Sequence, residues 1–326
     1  MTRPVVFSTH KLHPRAEAII TEAAELRVAS ALDDATLIDE GRDASVVIVR
    51  APIPAALFDA ASKLKIAIRH GAGIDMIPME AATKAGVMVA NVPGVNAPTV
   101  AEHVFMVSLA LLRQFRQVDR DLRAKGWNQG RDHAYSNSDL GGRTLGIIGF
   151  GNVGSEIARI GRHGFKMTVL AHSRTPKQID GVHFVDLDAL VTEADIIVLC
   201  CPLTPETKGL MNAERIGRMK PMSLLINVSR GPVVVDDALV PALREGRIAG
   251  AALDVFVEQP LPTNHPYYEF SNVIITPHMA GITEESMMRM GVGAAEQALQ
   301  VLRGGLPANL RNAEVLAAFN RRFHLS

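Results

Sequence analysis

The chain contains 326 residues, enough for roughly two domains of about 150 residues each, and 48% of them are hydrophobic. This composition argues against long intrinsic disorder. The 34 basic residues balance the 34 acidic ones, so no net charge attracts the protein to nucleic acid or to an anionic membrane surface.

Targeting signals and cysteine pairs are not evident in the sequence. The longest uncharged apolar stretch, near Val104–Leu112, is about half as long as a membrane-spanning helix. The first twelve residues carry Arg, His and Lys where a signal peptide has an apolar core. Cys200 and Cys201 are adjacent, which leaves no disulfide framework and no Cys-based zinc site. We therefore expect a cytoplasmic protein without a membrane partner, a nucleic-acid partner or a bound metal.

Residues 1–98 predict a first α/β unit. Helical patterns over Pro14–Leu26 and Pro54–Ala61 alternate with short runs that are apolar throughout. Such runs suit strands that are covered on both faces of a parallel sheet: Val5–Phe7, Val46–Val49, Ile66–Ile68 and Val87–Ala90.

A long helix is predicted next. Thr99 and Glu102 match the capping-box pattern, in which the first side chain caps the free backbone N–H groups and the second reaches back. Apolar positions then step by three and four residues as far as Leu122, and the helix ends before Gly126. At about 24 residues and about 36 Å, this helix could cross between two domains. The polar loop Asn128–Asp139 follows.

Residues 142–277 repeat the alternation and predict a second α/β unit. Its predicted helices begin at Gly151, Asn212 and Asp236. Its predicted strands are Thr144–Ile148, Met167–Ala171, Asp195–Leu199, Ser223–Val228, Gly250–Val255 and Val273–Ile275. A final helix from Thr283 stops at Gly304 and is expected to return to the first unit. The predicted domains are residues 1–98 with 284–326, and residues 99–283.

A glycine motif follows the first strand of the second unit. Gly149, Gly151 and Gly154, with Asn152 and Val153 between them, form the GxGxxG pattern at the start of a helix. The first glycine permits a tight turn, the second lets the backbone approach a pyrophosphate, and the third lets helix pack on strand. The helix N-terminus adds N–H donors. The motif predicts a dinucleotide site, although an ordinary glycine-rich turn would give the same letters.

The end of the next strand favours NADP over NAD. An acidic residue about 20 positions beyond the motif would bind an NAD ribose and repel a 2′-phosphate. The chain has Ser173, Arg174 and Thr175 there instead. The Arg174 guanidinium could pair with a 2′-phosphate. The alternative is that Arg174 is a solvated loop charge.

Three further segments place polar groups where apolar strands stop, which is where ligands bind in open α/β sheets. They are Asn227–Gly231, Asp254–Pro260 and Thr276–Gly281. An arginine such as Arg230 can hold a carboxylate, and a histidine such as His278 can exchange a proton near neutral pH. Together they suit reduction of a 2-oxo acid, whereas each alone would suit a salt bridge or a hydrogen-bonded loop residue.

The chain resembles the D-isomer-specific 2-hydroxyacid dehydrogenases, the family of phosphoglycerate dehydrogenase and glyoxylate/hydroxypyruvate reductase. The resemblance spans nearly the whole chain and rests on the three segments above, the glycine motif, Arg69–Asp75, Asn91–Gly94, Ala101–His103 and Pro202–Thr207. It implies two doubly wound parallel-sheet α/β domains, a flavodoxin-like substrate domain and an inserted Rossmann nucleotide domain, with the active site in the cleft. It also implies a homodimer joined largely through the nucleotide domains.

The resemblance also implies residue roles. Arg230 would bind the substrate carboxylate and carbonyl, and His278 would protonate the carbonyl oxygen. The backbone N–H groups of Ala72 and Gly73 would hold the carboxylate, and Asp254 would bind the nicotinamide carboxamide.

Three more positions come from the matched segments, and a fourth, Arg50, comes from the resemblance to phosphoglycerate dehydrogenases. Pro202, Val228 and Gly281 are expected to line the cofactor site. Arg50 lies near the position where phosphoglycerate dehydrogenases carry an arginine for the distal anionic group of their substrate. A surface salt bridge is the alternative for Arg50.

One position departs from the family pattern. The catalytic Glu of the family sits five residues after the Asp of the Asp254 segment, and this chain has Gln259 there. Glu258 is one residue away, so its side chain would point the opposite way in an extended segment. The Gln259 amide oxygen can orient the His278 ring but brings no charge. We hypothesise that carbonyl reduction therefore falls off at a lower pH than in relatives that carry Glu.

The expected function is interconversion of a small 2-oxo acid, such as glyoxylate or hydroxypyruvate, and its D-2-hydroxy acid by hydride transfer with NADP or NAD. Two alternatives stay open. Relatives of this fold include a dinucleotide-sensing transcriptional co-repressor, so the chain could be a sensor without turnover. Formate dehydrogenases of the same superfamily carry Gln at this position, so a formate or phosphite donor is the other alternative.

Overall fold

The computed structural model describes residues 3–324, which divide into two compact units. One unit comprises residues 3–96 and 282–324, and the other comprises residues 97–281. The domain boundaries expected from the sequence lie two residues further along the chain at each junction. Residues 1, 2, 325 and 326 of the predicted first domain lie outside the described residues.

The described residues form strands in the following order: β1 (Val5–Ser8), β2 (Glu25–Val28), β3 (Val46–Val49), β4 (Ile66–Arg69), β5 (Met88–Asn91), β6 (Thr144–Ile148), β7 (Thr168–His172), β8 (Val182–Phe184), β9 (Ile196–Leu199), β10 (Leu224–Asn227), β11 (Gly250–Leu253) and β12 (Val273–Ile275).

Their α-helices are α1 (Pro14–Ala23), α2 (Asp34–Gly41), α3 (Ala56–Ala60), α4 (Met79–Lys84), α5 (Ala97–Leu112), α6 (Phe115–Lys125), α7 (Trp127–Asp132), α8 (Asn152–Phe165), α9 (Leu187–Glu193), α10 (Ala213–Arg218), α11 (Asp236–Arg244), α12 (Glu284–Leu302) and α13 (Leu316–Phe323). Short 3-10 helices cover His133–Ser136, Gly231–Val233, Pro266–Glu269 and Ala313–Val315.

The first unit is a five-stranded parallel sheet in the order β2-β1-β3-β4-β5, the flavodoxin-like order. Along β3, alternate side chains enter two different cores: Val46 belongs to the core that includes α12, and Val47 to the core on the opposite face. Every residue of β3 is therefore buried. Because both faces are covered, the strand is apolar throughout, as the sequence predicts.

The second unit is a seven-stranded parallel sheet in the order β12-β11-β10-β9-β6-β7-β8. The chain runs outward from β6 to β8, then crosses to β9 and runs outward to β12 on the other side. This reversal between β6 and β9 is the topological switch point of a Rossmann sheet, where the carboxyl ends of the strands form a ligand-binding crevice. The predicted fold class, two parallel-sheet α/β domains, is confirmed.

The single long helix predicted from Thr99 to Gly126 is wrong. The chain forms α5 and α6 instead, and Gln114 between them adopts a left-handed conformation with φ 48°. Thr99 is buried within α5 and is not its N-cap. The apolar spacing continues across the break, because steps of three and four residues do not register a single left-handed residue.

Two other predictions of irregular or helical structure are wrong. The predicted polar loop Asn128–Asp139 contains most of α7 and the 3-10 helix His133–Ser136. The helix predicted over Pro14–Leu26 ends at Ala23, and Glu25–Val28 forms the edge strand β2. An edge strand leaves side chains half-exposed, so β2 lacks the continuous apolar run that identifies the central strands.

Candidate functional site

The glycine motif forms the turn between β6 and α8, and its three glycines have different surroundings. Gly149 has φ +98°, and a Cβ atom there would lie 2.5 Å from the backbone nitrogen of Cys201. A Cβ atom on Gly154 would lie 2.3 Å from the carbonyl oxygen of Gly149. The protein's own packing therefore requires these two glycines.

Gly151 is different, because a Cβ atom there would meet no atom within 4 Å. It is the N-cap residue of α8, with φ −91°, so backbone strain does not demand glycine either. The space beside Gly151 lies at a helix N-terminus, which offers N–H donors and positive potential to an anion. This turn fits the pyrophosphate of a dinucleotide.

The chain after β7 carries hydroxyl and basic groups. Ser173 Oγ donates a hydrogen bond of 2.8 Å to the carbonyl oxygen of Thr175. Arg174 is exposed and, within residues 3–324, forms no ion pair. Lys177, which the sequence reasoning missed, donates a 3.4 Å hydrogen bond to the carbonyl oxygen of Phe150 in the glycine turn. Arg174 and Lys177 thus give two positive charges to the segment after β7, where a 2′-phosphate would be expected to bind.

Asp254 fixes the turn that carries His278. The carboxylate is 3% exposed, and its Oδ1 accepts hydrogen bonds from Thr276 Oγ1 at 2.6 Å and from the Met279 N–H at 2.8 Å. Its Oδ2 accepts from the Ala280 N–H at 2.9 Å. The N–H of His278, whose φ is +52°, donates to the Asp254 carbonyl oxygen at 2.8 Å.

This network positions His278. Binding of the nicotinamide carboxamide by Asp254 stays a prediction. Buried His103 borders the same network, with its Nε2 3.4 Å from Thr276 Oγ1. Burial lowers the pKa of His103 below its usual value, although the charge of Asp254 opposes that effect.

The imidazole of His278 pairs with Gln259. The His278 Nδ1 lies 3.0 Å from Gln259 Oε1, and Gln259 Nε2 donates a 3.3 Å hydrogen bond to the Phe256 carbonyl oxygen. Because the amide nitrogen is used by that carbonyl, the amide oxygen faces the ring and Nδ1 is its donor. Gln259 therefore engages Nδ1, and Nε2 is the ring nitrogen that Gln259 does not contact. Glu258 is exposed and forms no ion pair within the described part of the chain.

Arg230 stands on a turn organised by the buried Asn227, another residue to which sequence reasoning gave no role. The Asn227 Oδ1 accepts from the Ser229 N–H at 3.0 Å and from Ser229 Oγ at 2.9 Å, while its Nδ2 donates to the Arg230 carbonyl oxygen at 3.0 Å. Arg230 Nη1 donates to the Ser229 carbonyl oxygen at 2.6 Å. A Cβ atom on Gly231 would lie 2.0 Å from the backbone of Phe256, so the Arg230 turn packs directly on the segment that leads to Gln259.

The remaining predicted positions of this unit also lie beyond strand ends. Pro202 follows β9 and Val228 follows β10, while Gly281 ends the unit after the His278 turn. Since the sheet is parallel, all of these segments meet at its carboxyl edge. Asn227, Asp254 and Thr276 share a signal in the sequence. Each is a polar residue that either ends an apolar strand or follows it directly.

In the first unit, Ala72 and Gly73 follow β4 in a turn that begins with Gly71 at φ +136°. Asn91 Nδ2 donates a 2.6 Å hydrogen bond to the Ala72 carbonyl oxygen. Arg50 Nη1 donates to the Lys11 carbonyl oxygen at 2.5 Å, and within residues 3–324 Arg50 forms no ion pair. Burial lowers the pKa of Arg50. The substrate-binding roles of Ala72, Gly73 and Arg50 stay predictions.

Residues 3–324 show neither a membrane-spanning helix nor a metal-binding cluster. No helix in this range combines the length and apolar character needed to span a membrane. The same residues contain no group of three or more His, Cys, Asp and Glu side chains arranged to hold a metal ion.

Comparison with known proteins gives three similarities. Residues 105–280 match the family model described as D-isomer specific 2-hydroxyacid dehydrogenase, NAD binding domain. The chain is 36% identical over 327 residues to a glyoxylate reductase of Thermofilum pendens, covering 97% of this chain and 96% of that protein. It is also 36% identical to a D-3-phosphoglycerate dehydrogenase of Methanocaldococcus jannaschii, of which it spans 59%.

A solved structure supports the same assignment. The NADPH-dependent glyoxylate/hydroxypyruvate reductase of Sinorhizobium meliloti, crystallised with NADP and malonate, superposes with a TM-score of 0.85 at 30% identity. The match covers 96% of this chain and 98% of that chain. The chain belongs to the D-isomer specific 2-hydroxyacid dehydrogenases, oxidoreductases that interconvert 2-oxo acids and 2-hydroxy acids and carry an NAD-binding domain.

Proposed function

We propose that the protein reduces a small 2-oxo acid of the glyoxylate or hydroxypyruvate type to the D-2-hydroxy acid. The observation that carries this proposal is the His278–Gln259 pair, held by Asp254 at the same sheet edge as the open glycine turn. A proton donor and a dinucleotide turn at one edge are what a carbonyl reduction requires.

In the proposed mechanism, Arg230 binds the substrate carboxylate and polarises the neighbouring carbonyl. The nicotinamide cofactor, when bound, supplies the hydride. His278 begins as imidazolium and releases its Nε2 proton to the carbonyl oxygen as the alcohol forms. The neutral ring keeps its Nδ1–H on Gln259 and regains a proton from solvent for the next turnover. Gln259 thus orients the ring in both protonation states without adding charge.

We propose NADP as the preferred cofactor, with NAD as the weaker one. The exposed Arg174 and the hydroxyl groups of Ser173 and Thr175 support this preference, because no carboxylate ends β7 to repel a 2′-phosphate. Replacing Arg174 by Gln should weaken NADPH binding at least tenfold and change NADH binding by less than threefold. Fluorescence titration of both cofactors measures the effect, and equal losses for the two would contradict the preference.

The central experiment follows the oxidation of NADPH or NADH with glyoxylate, hydroxypyruvate and pyruvate. We expect His278→Ala to lower kcat by about 100-fold or more while cofactor affinity stays near that of the native protein, because the proton donor alone is lost. Binding without turnover of any 2-oxo acid would favour the sensing function instead. Reduction of NADP or NAD by formate or phosphite would favour the alternative donors.

We also propose a homodimer joined through the second unit. Large apolar side chains are exposed on α5, α6, α7 and the following 3-10 helix: Met106, Phe115, Leu122, Trp127 and Tyr135. Exposed apolar residues at this density are typical of protein interfaces. Light scattering after size exclusion should give twice the chain mass, and Trp127→Glu should shift it toward the monomer. A cytoplasmic location stays a prediction that rests on the two free cysteines.

A further inference from the structure

The second unit contains a cavity of about 650 Å³ beside the His278–Gln259 pair. His278, Gln259 and Thr276 form its polar part. Its other lining side chains are apolar or aromatic and include Phe256, Leu261, Tyr268 and Ile275. The cavity therefore begins at the predicted acid and continues along an apolar wall.

The chemistry of the lining limits what this cavity can accept. Among residues 3–324, the ionisable side chains that line it are His278 and the phenol of Tyr268, and no Arg, Lys, Asp or Glu of this range does so. Thr276 already donates its hydroxyl proton to Asp254, and the Gln259 amide is used by His278 and Phe256. Nothing in the lining would compensate the desolvation of a carboxylate or phosphate at the far end of a substrate.

The volume of the cavity is much larger than glyoxylate needs. Cavities of about 300–1,000 Å³ hold ligands with many more heavy atoms than a two-carbon acid. Apolar surface buried from water adds affinity roughly in proportion to its area, so a longer apolar side chain would gain from this wall.

We propose that this cavity binds the side chain of larger, apolar 2-oxo acids, so that the substrate range extends beyond glyoxylate to branched aliphatic or aromatic 2-oxo acids. The inference rests on the proposed function, since it assigns a substrate class to the same site. This substrate class separates the chain from its phosphoglycerate dehydrogenase relatives, whose name specifies a substrate with an anionic distal group.

The test compares kcat/KM for glyoxylate, pyruvate, 4-methyl-2-oxopentanoate and 2-oxoglutarate with NADPH. We expect 4-methyl-2-oxopentanoate to exceed both pyruvate and 2-oxoglutarate by at least tenfold, because only its side chain is both long and uncharged. Activity with glyoxylate or pyruvate but no preference for the apolar acid would overturn the inference and leave the proposed function intact. Failure of every 2-oxo acid would instead remove the proposed function, and this inference with it.

A pair of variants locates the effect. Tyr268 lines the cavity and is 52% exposed, so Tyr268→Glu should fold while placing a carboxylate at the apolar wall. Tyr268→Glu should lower the ratio of kcat/KM for 4-methyl-2-oxopentanoate to kcat/KM for glyoxylate at least tenfold. Tyr268→Phe should keep this ratio near that of the native chain. Met222→Glu is the matched control, because Met222 is 68% exposed and precedes β10 at its amino end. Equal losses for both substrates in Tyr268→Glu would contradict the assignment.

Discussion

At the scale of single residues, the site depends on polar groups whose partners are fixed by burial. Asp254 accepts three hydrogen bonds from the turn that carries His278. The Gln259 amide oxygen accepts a hydrogen bond from Nδ1–H of that histidine. The identity of each residue therefore sets either the geometry or the charge around one imidazole. Two substitutions separate these contributions.

Gln259→Glu changes the charge. A carboxylate about 3 Å from the ring stabilises imidazolium. The basic limb of kcat/KM for carbonyl reduction should therefore move upward by about one pH unit, since the acid form persists to higher pH. The matched control is Glu258→Gln, which removes an exposed carboxylate next in sequence and should leave the limb in place. A basic limb of the pH profile that stays in place in Gln259→Glu would contradict the hypothesis.

Asp254→Asn changes the geometry. An amide has one acceptor oxygen, so its NH₂ group would face an N–H donor of Met279 or Ala280 and open the turn. We expect kcat to fall tenfold or more, while the dissociation constant of the cofactor measured by titration changes less than threefold. A parallel loss of cofactor affinity would show that Asp254 acts chiefly on the nicotinamide carboxamide, as the family resemblance implies.

At the scale of elements, the β6–α8 turn separates packing from binding within one motif. Gly149 and Gly154 are required by backbone contacts below 3 Å, whereas Gly151 faces open space. The sequence motif already assigns the first and third glycines to the turn and to packing, and the second to the pyrophosphate. The surroundings of the three Cβ positions agree with that division.

A matched pair of substitutions tests this division. Gly154→Val forces a side chain onto the Gly149 carbonyl oxygen and should lower the free energy of unfolding by about 2 kcal/mol or more. A Cβ atom at Gly151 meets no atom within 4 Å, so Gly151→Val should leave the free energy of unfolding within about 1 kcal/mol. It should nevertheless weaken cofactor binding at least tenfold, because the side chain occupies the space of the pyrophosphate. Urea denaturation and cofactor titration distinguish the two, and equal destabilisation by both variants would contradict the division.

At the scale of the whole molecule, buried histidines link folding to pH. Burial lowers the pKa of His10 and His70 in the first unit and of His103 in the second. His70 is the extreme case, because burial, followed by the charges of Arg50 and Arg69, lowers its pKa from 6.5 to about 3. Between these pH values the unfolded chain binds a proton that the folded chain does not. The contribution of neutral His70 to the free energy of unfolding is therefore fully present above pH 6.5 and is lost progressively as pH falls toward 3.

His70→Asn should flatten this dependence. The free energy of unfolding of the native chain should fall between pH 6.5 and the midpoint of acid unfolding, with a His70 contribution of up to about 1.4 kcal/mol per pH unit. Urea denaturation at a series of pH values measures the slope, which should be shallower in the variant. His163→Asn, on the exposed face of α8, is the control and should keep the native slope. Identical slopes in all three proteins would exclude His70 as a cause of acid sensitivity.

Local signals in the sequence predicted most strands of the two sheets, the glycine turn and the three segments that follow β10, β11 and β12. They succeed because central parallel strands are buried on both faces and therefore apolar throughout, and because parallel strands bring all their carboxyl ends to one edge. The sequence could thus predict which segments meet. It also predicted that Gln259 can hold the His278 ring, and the structure contains that hydrogen bond.

Tertiary structure alone decided the rest. The apolar spacing continues across Gln114 and therefore does not reveal the break there. The half-exposed edge strands β2 and β8 have no periodic apolar pattern, because their conformation depends on neighbours distant in sequence. The positioning role of Asp254 and the largely apolar cavity beside His278 arise from contacts between loops that follow different strands. Such contacts exist only once the sheet has formed, since pairing and packing across the sheet select partners that local sequence cannot specify.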